Sequence, residues 1–412
     1  MDGGNAENAW SNFLPRRTLP GIGVKTRMVK NYRKRVLILG GYGTFGARIA
    51  RMLACEPDVQ LIVAGRDKFK AELGASRLPG LAEGLRLDRD AVNLAAQLRA
   101  LHLDLLIHCA GPFQHQDYRV AHACIESGTP YIDIADARRF VCDFNRLSPA
   151  AEAAGIPLVS GASSLPALSS AVLAELSGQL PRVHSVELDI APAHRIDRGL
   201  ATVRAGFESL GDGFPMLQDG QWRETFAGDQ LRRAQIAHPV GERWLCNFDV
   251  PDLELFPRAL PGLQTARFGT GVQPRLLQLG LALCARLARL QLPATRPWLA
   301  DLGHKLAAHW PGGSDHGGMQ IRLEGTDAHG DLAGFRWQIL GLNGDGPQIP
   351  AAPAAAMARK MLKGNYTKIG ASACWQLLTL DEILAELSPH AIVTAMEPVA
   401  SEQHSAPVVA AG

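Results

Sequence analysis

The residues with the clearest chemical signal are three glycines, Gly41, Gly43 and Gly46, which have the G-x-G-x-x-G spacing. An apolar run at 36–39 precedes them, as in a strand buried on both faces, and a helical pattern follows. In this context the first glycine permits a tight turn, the second lets the backbone approach a pyrophosphate and the third lets the helix pack on the strand. The pattern predicts a dinucleotide site at a helix N-terminus, and the alternative is a purely structural turn.

The residues between the glycines belong to the predicted cofactor site, and they are Tyr42, Thr44 and Phe45. A phosphate loop of the Walker type is excluded, because Ala47 and Arg48 stand where lysine and a hydroxyl residue are required. The turn is therefore interpreted as a binding site for a dinucleotide.

The end of the second predicted strand indicates which dinucleotide binds. NAD-binding domains usually carry an acid there, which holds the ribose 2′-hydroxyl. This chain has Arg66 at that position and Lys68 beside it. A guanidinium binds a phosphate in a fork whereas an acid repels one, so the pattern favours NADP(H). The alternative is a solvated turn that is basic by chance.

Two later strand ends complete the predicted cofactor site. Asp88 follows the third predicted strand, where it either accepts a hydrogen bond from the adenine amino group or caps the next helix. The fourth strand, at 104–109, leads into a loop that we expect to lie against the nicotinamide ribose. The residues of this loop are Ala110, Gly111, Pro112 and Phe113.

Candidate catalytic and substrate-binding groups lie farther along the chain. Asp133 ends the fifth strand. Its candidate roles are an acid/base, a partner of a substrate amine and a helix cap. Ser163 and Ser164 open a helix, where hydroxyl groups either cap the helix or hold a substrate carboxylate. His194 and Arg195 follow a predicted strand in the second half of the chain. They are either substrate contacts or part of a solvated loop. His194 is the next candidate acid after Asp133.

Strict alternation of strands and helices over the first 160 residues predicts how these groups are positioned. The fold class is α/β, a Rossmann-type doubly wound parallel sheet. Alternating polarity at 186–190 and a hairpin pattern at 319–340 predict a second, α+β domain. The expected division is a disordered basic leader at 1–33, an NADP-binding domain at 34–165, a substrate or dimerisation domain at 166–350, C-terminal helices packing back on the body at 351–398 and a disordered tail at 399–412.

Several of these motifs together resemble the saccharopine dehydrogenase/reductase NADP-binding family, in particular its saccharopine dehydrogenase-like oxidoreductase branch. The motifs are the strand and glycine turn at 36–46, the loop at 109–113, Tyr131-Ile132-Asp133 and the segment at 161–166. The resemblance covers roughly residues 35–175 and, more loosely, 344–364. It implies NADP(H) as cofactor, an oxidoreductase activity and an α+β domain after the Rossmann core.

Composition and charge bound the remaining possibilities. The chain has 412 residues, of which 47% are apolar and 20% charged, as expected for a globular protein with a substantial core. A net charge of +2 gives no reason to expect nucleic acid as a partner. The seven cysteines have no paired spacing, so we expect no metal site, reduced thiols and a cytoplasmic protein. No integral membrane segment is predicted, and a homodimer contact is assigned to the second domain.

Three functions remain open on the sequence. The first is an NADP(H)-dependent oxidoreductase acting on a small carbonyl, imine or amino-acid-like substrate, which the basic cluster at 194–198 suggests to be anionic. The second is a reductive-condensation synthase, like the polyamine-forming relatives of the family, which requires an acidic pocket for a diamine. The third is a regulator that senses NADP(H) without catalysis. A short-chain dehydrogenase is excluded, because none of the five tyrosines has lysine four residues later.

Overall fold

The computed structural model describes residues 33–196, 206–289, 310 and 312–399. The predictions for a disordered leader and tail therefore lie almost wholly outside the described residues. The same holds for positions 197 and 198 of the basic cluster.

A seven-stranded parallel sheet carries the glycine motif. Its strands are β1 (Lys34–Leu39), β2 (Val59–Gly65), β3 (Ala82–Arg86), β4 (Leu105–His108), β5 (Tyr131–Asp133), β6 (Pro157–Ser160) and β15 (Gly370–Ala373). Their order across the sheet is β15-β6-β5-β4-β1-β2-β3, and every neighbouring pair is parallel. The predicted doubly wound sheet is confirmed, with the strand reversal beside β1, where such folds bind their ligands.

The helices of this sheet follow its strands in alternation. They are α1 (Gly46–Leu53), α2 (Lys68–Ser76), α3 (Leu94–Leu101), α4 (Arg119–Ser127), α5 (Arg138–Cys142) and α6 (Ser148–Ala154). A 3-10 turn at Phe144–Leu147 separates α5 from α6. Pro149 lies in the first turn of α6, where a helix does not need the N–H that proline lacks, so a new helix begins there.

A second seven-stranded sheet is mixed and forms the predicted α+β part. Its strands are β7 (Arg182–Ala191), β10 (Arg232–Ile236), β11 (Gly241–Asn247), β12 (Thr265–Thr270), β13 (Gly317–Thr326), β14 (Leu332–Gly341) and β16 (Ile392–Val399). They lie in the order β10-β11-β12-β7-β13-β14-β16, and β8 (Gly213–Gln218) with β9 (Gln221–Phe226) makes a separate hairpin. The predicted hairpin of β13 and β14 is confirmed, with Gln320 opposite Gln338.

Five further helices lie around the second sheet and the C-terminal part. They are α7 (Ser169–Ser177), α8 (Asp252–Ala259), α9 (Arg275–Arg289), α10 (Ala352–Leu362) and α11 (Leu380–Leu387). A capping box begins α11: the Thr379 hydroxyl accepts from the amide of Glu382, and the Glu382 carboxylate accepts from the amide of Thr379.

One hydrophobic core joins the two sheets. Leu37 and Ile38 of β1 belong to the same buried cluster as Leu188 of β7 and Ile321 of β13. The second sheet therefore packs one face toward the Rossmann part, and the carboxyl edge of the parallel sheet opens into the space between them. No helix within the described ranges is long and apolar enough to cross a membrane.

Candidate functional site

A single large cleft lies at the carboxyl edge of the parallel sheet. Its volume is ≈1530 Å³, which exceeds the roughly 300–1,000 Å³ of a usual small-molecule pocket. The turns after β1, β2 and β4 line one half, and residues of the second sheet, α9 and the loop before α10 line the other. The space is therefore large enough for a dinucleotide and a second molecule side by side.

The glycine turn has the geometry that the motif predicts. A Cβ on Gly46 would lie 2.3 Å from the carbonyl oxygen of Gly40, and one on Gly41 would lie 2.8 Å from that of Ile38. Gly40 was not singled out by the sequence, yet its φ of +82° favours glycine, and a Cβ there would lie 2.8 Å from the Ala110 nitrogen. Gly41 and Gly46 therefore shape the turn from beneath, while the residues between them line the cleft.

The start of α1 offers amide groups to the cleft, at the place predicted for the pyrophosphate. Tyr42, Gly43, Thr44 and Phe45 all line the cleft there. The amide of Ala47 donates to the carbonyl of Gly43 at 2.9 Å, so the first internal bond of the helix begins at that residue. The amide of Gly43 donates to the carbonyl of Gly40 at 2.9 Å, and the turn as a whole lies at the positive end of the helix dipole, which is a suitable place for an anionic phosphate.

Arg66 and Lys68 differ in position although they are two residues apart. Arg66 is exposed and lines the cleft, whereas Lys68 does not line it and lies 3.6 Å from Glu72. Asp67 between them caps α2, since its Oδ1 accepts from the amide of Lys70 at 3.1 Å. Arg66 therefore lies in the same half of the cleft as the glycine turn, and the neighbouring carboxylate is committed to a helix.

At the end of β3 the residue next to the predicted one lines the cleft. Asp88 is exposed, is not part of the lining and accepts from the amide of Asp90 at 3.1 Å. Arg89 lines the cleft instead, and its Nη1 donates to the carbonyl of Ala110 at 2.5 Å. The adenine contact predicted for Asp88 therefore has no support in its position. The sequence analysis missed Arg89, although a basic residue just beyond a strand end is the same signal that indicated Arg66.

The predicted nicotinamide loop, Ala110–Phe113, lines the cleft along its whole length. Gln116 holds it, since its Nε2 donates to the carbonyls of Ala110 at 2.9 Å and of Pro112 at 2.6 Å. Behind the loop, His108 accepts from the Ala110 amide through Nδ1 at 3.3 Å and contacts Gln116 Oε1 through Nε2 at 3.1 Å. Burial lowers the pKa of His108 to about 4, so this ring is a neutral packing group.

Asp133, the first candidate acid, does not line the cleft. It is fully buried, and its Oδ1 accepts from the Ala135 amide at 2.9 Å, the Ser160 hydroxyl at 3.0 Å and the Gly161 amide at 2.8 Å. Burial raises its pKa to about 6, against these three hydrogen bonds, which lower it. This position does not favour the predicted catalytic role, because the carboxyl ties β5 to the end of β6 rather than facing a substrate.

A pH-dependent stability follows for Asp133. Its pKa in the folded protein, about 6, lies above the ordinary 3.8, so the folded state holds the proton more tightly than the unfolded state. Stability therefore falls as the pH rises through this window. We expect the Asp133→Asn variant to lack this loss. The difference in free energy of unfolding, variant minus wild type, should therefore increase by roughly 2–3 kcal/mol between pH 4 and pH 7. Urea unfolding at both pH values measures the difference, and an unchanged difference would contradict the assignment.

Asp136, three residues later, is the carboxyl that reaches the cleft. Its side chain is accessible from the cleft, and its Oδ1 accepts from Gln114 Nε2 at 3.3 Å. Desolvation by the surrounding protein raises the pKa of Asp136. The sequence analysis missed Asp136 because it ends no strand; β5 stops at Asp133, and the chain continues along the cleft wall.

The predicted substrate residues are divided by the structure. Ser163 and Ser164 line the cleft, and the hydroxyl of Ser163 donates to the carbonyl of Pro350 at 3.1 Å. His194 also lines it, and its amide donates to the carbonyl of Ser314 at 2.9 Å. Arg195 is exposed and is not part of the lining. The described part of the basic cluster therefore gives the cleft one imidazole, and the anionic substrate stays a prediction.

Acidic groups of the second domain lie in the cleft instead. Glu208 and Asp212 line it and are exposed, and Asp249 lines it in a pair with Arg138. The Arg138 Nη1 lies 3.1 Å from Asp249 Oδ1, and its Nε lies 3.0 Å from Glu254 Oε2. Burial raises the pKa of Asp249, and the arginine counteracts this rise. Among the residues that the structure describes, no cluster of His, Cys, Asp and Glu is suited to hold a metal ion.

Sheet order and glycine turn are those of a Rossmann-type oxidoreductase that carries a second domain with a mixed sheet. Residues 36–159 match the family model of the saccharopine dehydrogenase NADP-binding domain. This match confirms the resemblance over that part of the chain and NADP(H) as the cofactor. No curated protein matches the chain by sequence.

Solved structures extend the similarity over both domains. Saccharopine dehydrogenase (L-Glu forming) from Saccharomyces cerevisiae is 16% identical, with a TM-score of 0.65 over 89% of this chain and 100% of that chain. Homospermidine synthase from Legionella pneumophila, solved with NAD, is 11% identical, with a TM-score of 0.57 over 89% and 92%. At such identities the likeness shows a shared fold.

Proposed function

We propose that the protein is an NADP(H)-dependent oxidoreductase that interconverts a carbonyl or imine compound with its reduced form. The observation that carries the proposal is the continuity of the cleft, which the glycine turn, Arg66 and the Ala110–Phe113 loop line in one half and the second domain lines in the other. A dinucleotide on the first half leaves the second half to a substrate. When bound, NADPH supplies the hydride, and the protein must supply placement and a proton.

Asp136 is the proposed proton donor. It follows β5 at the carboxyl edge, shares a hydrogen bond with Gln114 beside the nicotinamide loop and has a raised pKa, as suits an acid that must be protonated to act. His194 lines the same cleft from the second domain and is the alternative donor. Ser163 and Ser164 are proposed to hold the polar group of the substrate.

Replacing Arg66 by alanine tests the cofactor half of the proposal. The loss of a charge-assisted hydrogen bond costs about 1.5–3 kcal/mol, so the Kd for NADPH should rise roughly 10- to 100-fold while that for NADH stays nearly unchanged. Titration by tryptophan fluorescence measures both. Lys68→Ala is the matched control, because Lys68 is exposed and does not line the cleft, and it should bind both cofactors like the wild type. Equal losses for both cofactors in Arg66→Ala would remove the assignment.

A reductive-condensation synthase is the second candidate, and a specific observation favours it. Glu208 and Asp212, which the second domain contributes to the described cleft, are exposed and acidic, and a diamine requires negative charge in its pocket. Incubation of the protein with a diamine and NAD(H) or NADP(H), followed by mass spectrometry, separates the two. A condensed polyamine supports the synthase, and cofactor oxidation by a simple carbonyl without condensation supports the reductase.

A further inference from the structure

The substrate half of the cleft is predominantly apolar. Its described lining includes Phe207, Phe214, Phe248, Phe268, Leu281 and Met319. Phe214, Phe268 and Met319 are themselves buried, so they form a fixed wall. Such a wall gains free energy from contact with an apolar ligand and gains none from a small ion.

The acidic groups in this half do not offset that character. Asp249 already has a cation, since Arg138 Nη1 lies 3.1 Å from it. Glu208 and Asp212 are exposed and belong to one short segment. The protein around Asp136 and Asp249 raises both pKa values, which reflects surroundings that disfavour charge.

Helix α9 extends the apolar surface from the cleft to the outside of the molecule. Leu277 and Leu281 line the cleft from one side of the helix, and Leu276 lines it while being 67% exposed. Leu283 and Leu287, which continue along the same outer face at helical spacing, are 58% and 41% exposed. A ligand therefore meets leucine side chains at the entrance and within the cleft alike.

We propose that the substrate carries a long or bulky apolar portion, such as an extended alkyl chain, which lies beneath α9 while its reacting carbon lies at the nicotinamide loop. The inference rests on the proposed function for the location of the reacting carbon. It goes beyond that function in naming the substrate class, and it replaces the small anionic substrate that the sequence suggested. The apolar portion of the substrate supplies binding energy, and Asp136, Ser163 and Ser164 contact its polar group.

Binding of a neutral fluorescent probe tests the proposal without a known substrate. N-phenyl-1-naphthylamine should become fluorescent in the presence of the full-length protein with NADPH, and straight-chain alcohols from hexanol to dodecanol should displace it. Each methylene added to the alcohol should lower the concentration needed to displace the probe about fourfold, until the chain fills the substrate half of the cleft. Absence of probe binding, or displacement that does not depend on chain length, would overturn the proposal.

A pair of leucine variants separates the cleft from general surface stickiness. Leu276→Glu places a charge at the entrance, and Leu332→Glu places one on an exposed leucine of β14 that is outside the cleft lining. The first should weaken probe binding at least tenfold and the second should leave it unchanged, while both bind NADPH normally. Equal effects in the two variants would overturn the inference. NADPH binding without probe binding rejects the inference alone, whereas probe binding without NADPH binding rejects the proposed function.

Discussion

Asp136→Asn is expected to lower turnover by about 10²–10⁴-fold while NADPH binds with unchanged affinity, because a positioned proton donor contributes on that scale. The amide keeps the size of the side chain, and its Oδ1 still accepts from Gln114, so the cleft wall should stay in place. The measurement is NADPH oxidation at 340 nm with a carbonyl substrate found by screening an alkyl aldehyde and ketone series.

The dependence of the rate on pH tests whether Asp136 acts in its protonated form. Reduction needs the protonated carboxyl, and the pKa of Asp136 is raised, so the wild-type rate should fall as the pH rises above that pKa, and this limb should be absent from the variant. Asp133→Asn is the matched control, since its buried carboxyl keeps away from the cleft lining and should affect turnover little. A loss confined to Asp133→Asn, or to His194→Gln, would transfer the role of acid to that residue.

Arg138→Ala should cause the largest loss of stability, about 2–4 kcal/mol. The Arg138 side chain is 6% exposed and joins α5 to the second domain, through Asp249, Glu254 and the carbonyl of Pro215 at 2.8 Å. Removing one member of a buried ion pair typically costs about 3–5 kcal/mol, and we lower this figure because the two carboxylates are partly exposed.

Arg139→Ala is the control for that experiment, because Arg139 is the next residue and is exposed. Urea midpoints of the two variants should differ clearly, with Arg139→Ala close to the wild type. Similar midpoints would show that the bridge between α5 and the second domain contributes little.

The local part of the site followed from the sequence because its signals are local. The glycine turn, Arg66 and the Ala110–Phe113 loop each sit directly after an apolar run that forms a strand. Gly40 was missed because its constraint comes from Ala110, seventy residues away, whose nitrogen a Cβ would approach. Strand β15 was missed because Gly-Ala-Ser-Ala carries no apolar pattern.

The substrate half depended on contacts that spacing does not encode. Strand β7 pairs with β12 and with β13, both distant in sequence, and this pairing decides that His194 lines the cleft while Arg195 lies outside its lining. The sequence has an aspartate at both 133 and 136, and only the position at which β5 ends distinguishes their environments. The charge of the cluster at 194–198 does not say which of its members reach the cleft, so the charge of the substrate stays a prediction.

A crystal structure with NADPH tests the central claim most directly. The proposal predicts the pyrophosphate at the start of α1, the 2′-phosphate on Arg66 and the nicotinamide against Gly111–Phe113, with its reactive face toward Asp136 and the apolar half of the cleft. A nicotinamide turned away from that half, or a 2′-phosphate without contact to Arg66, would contradict it.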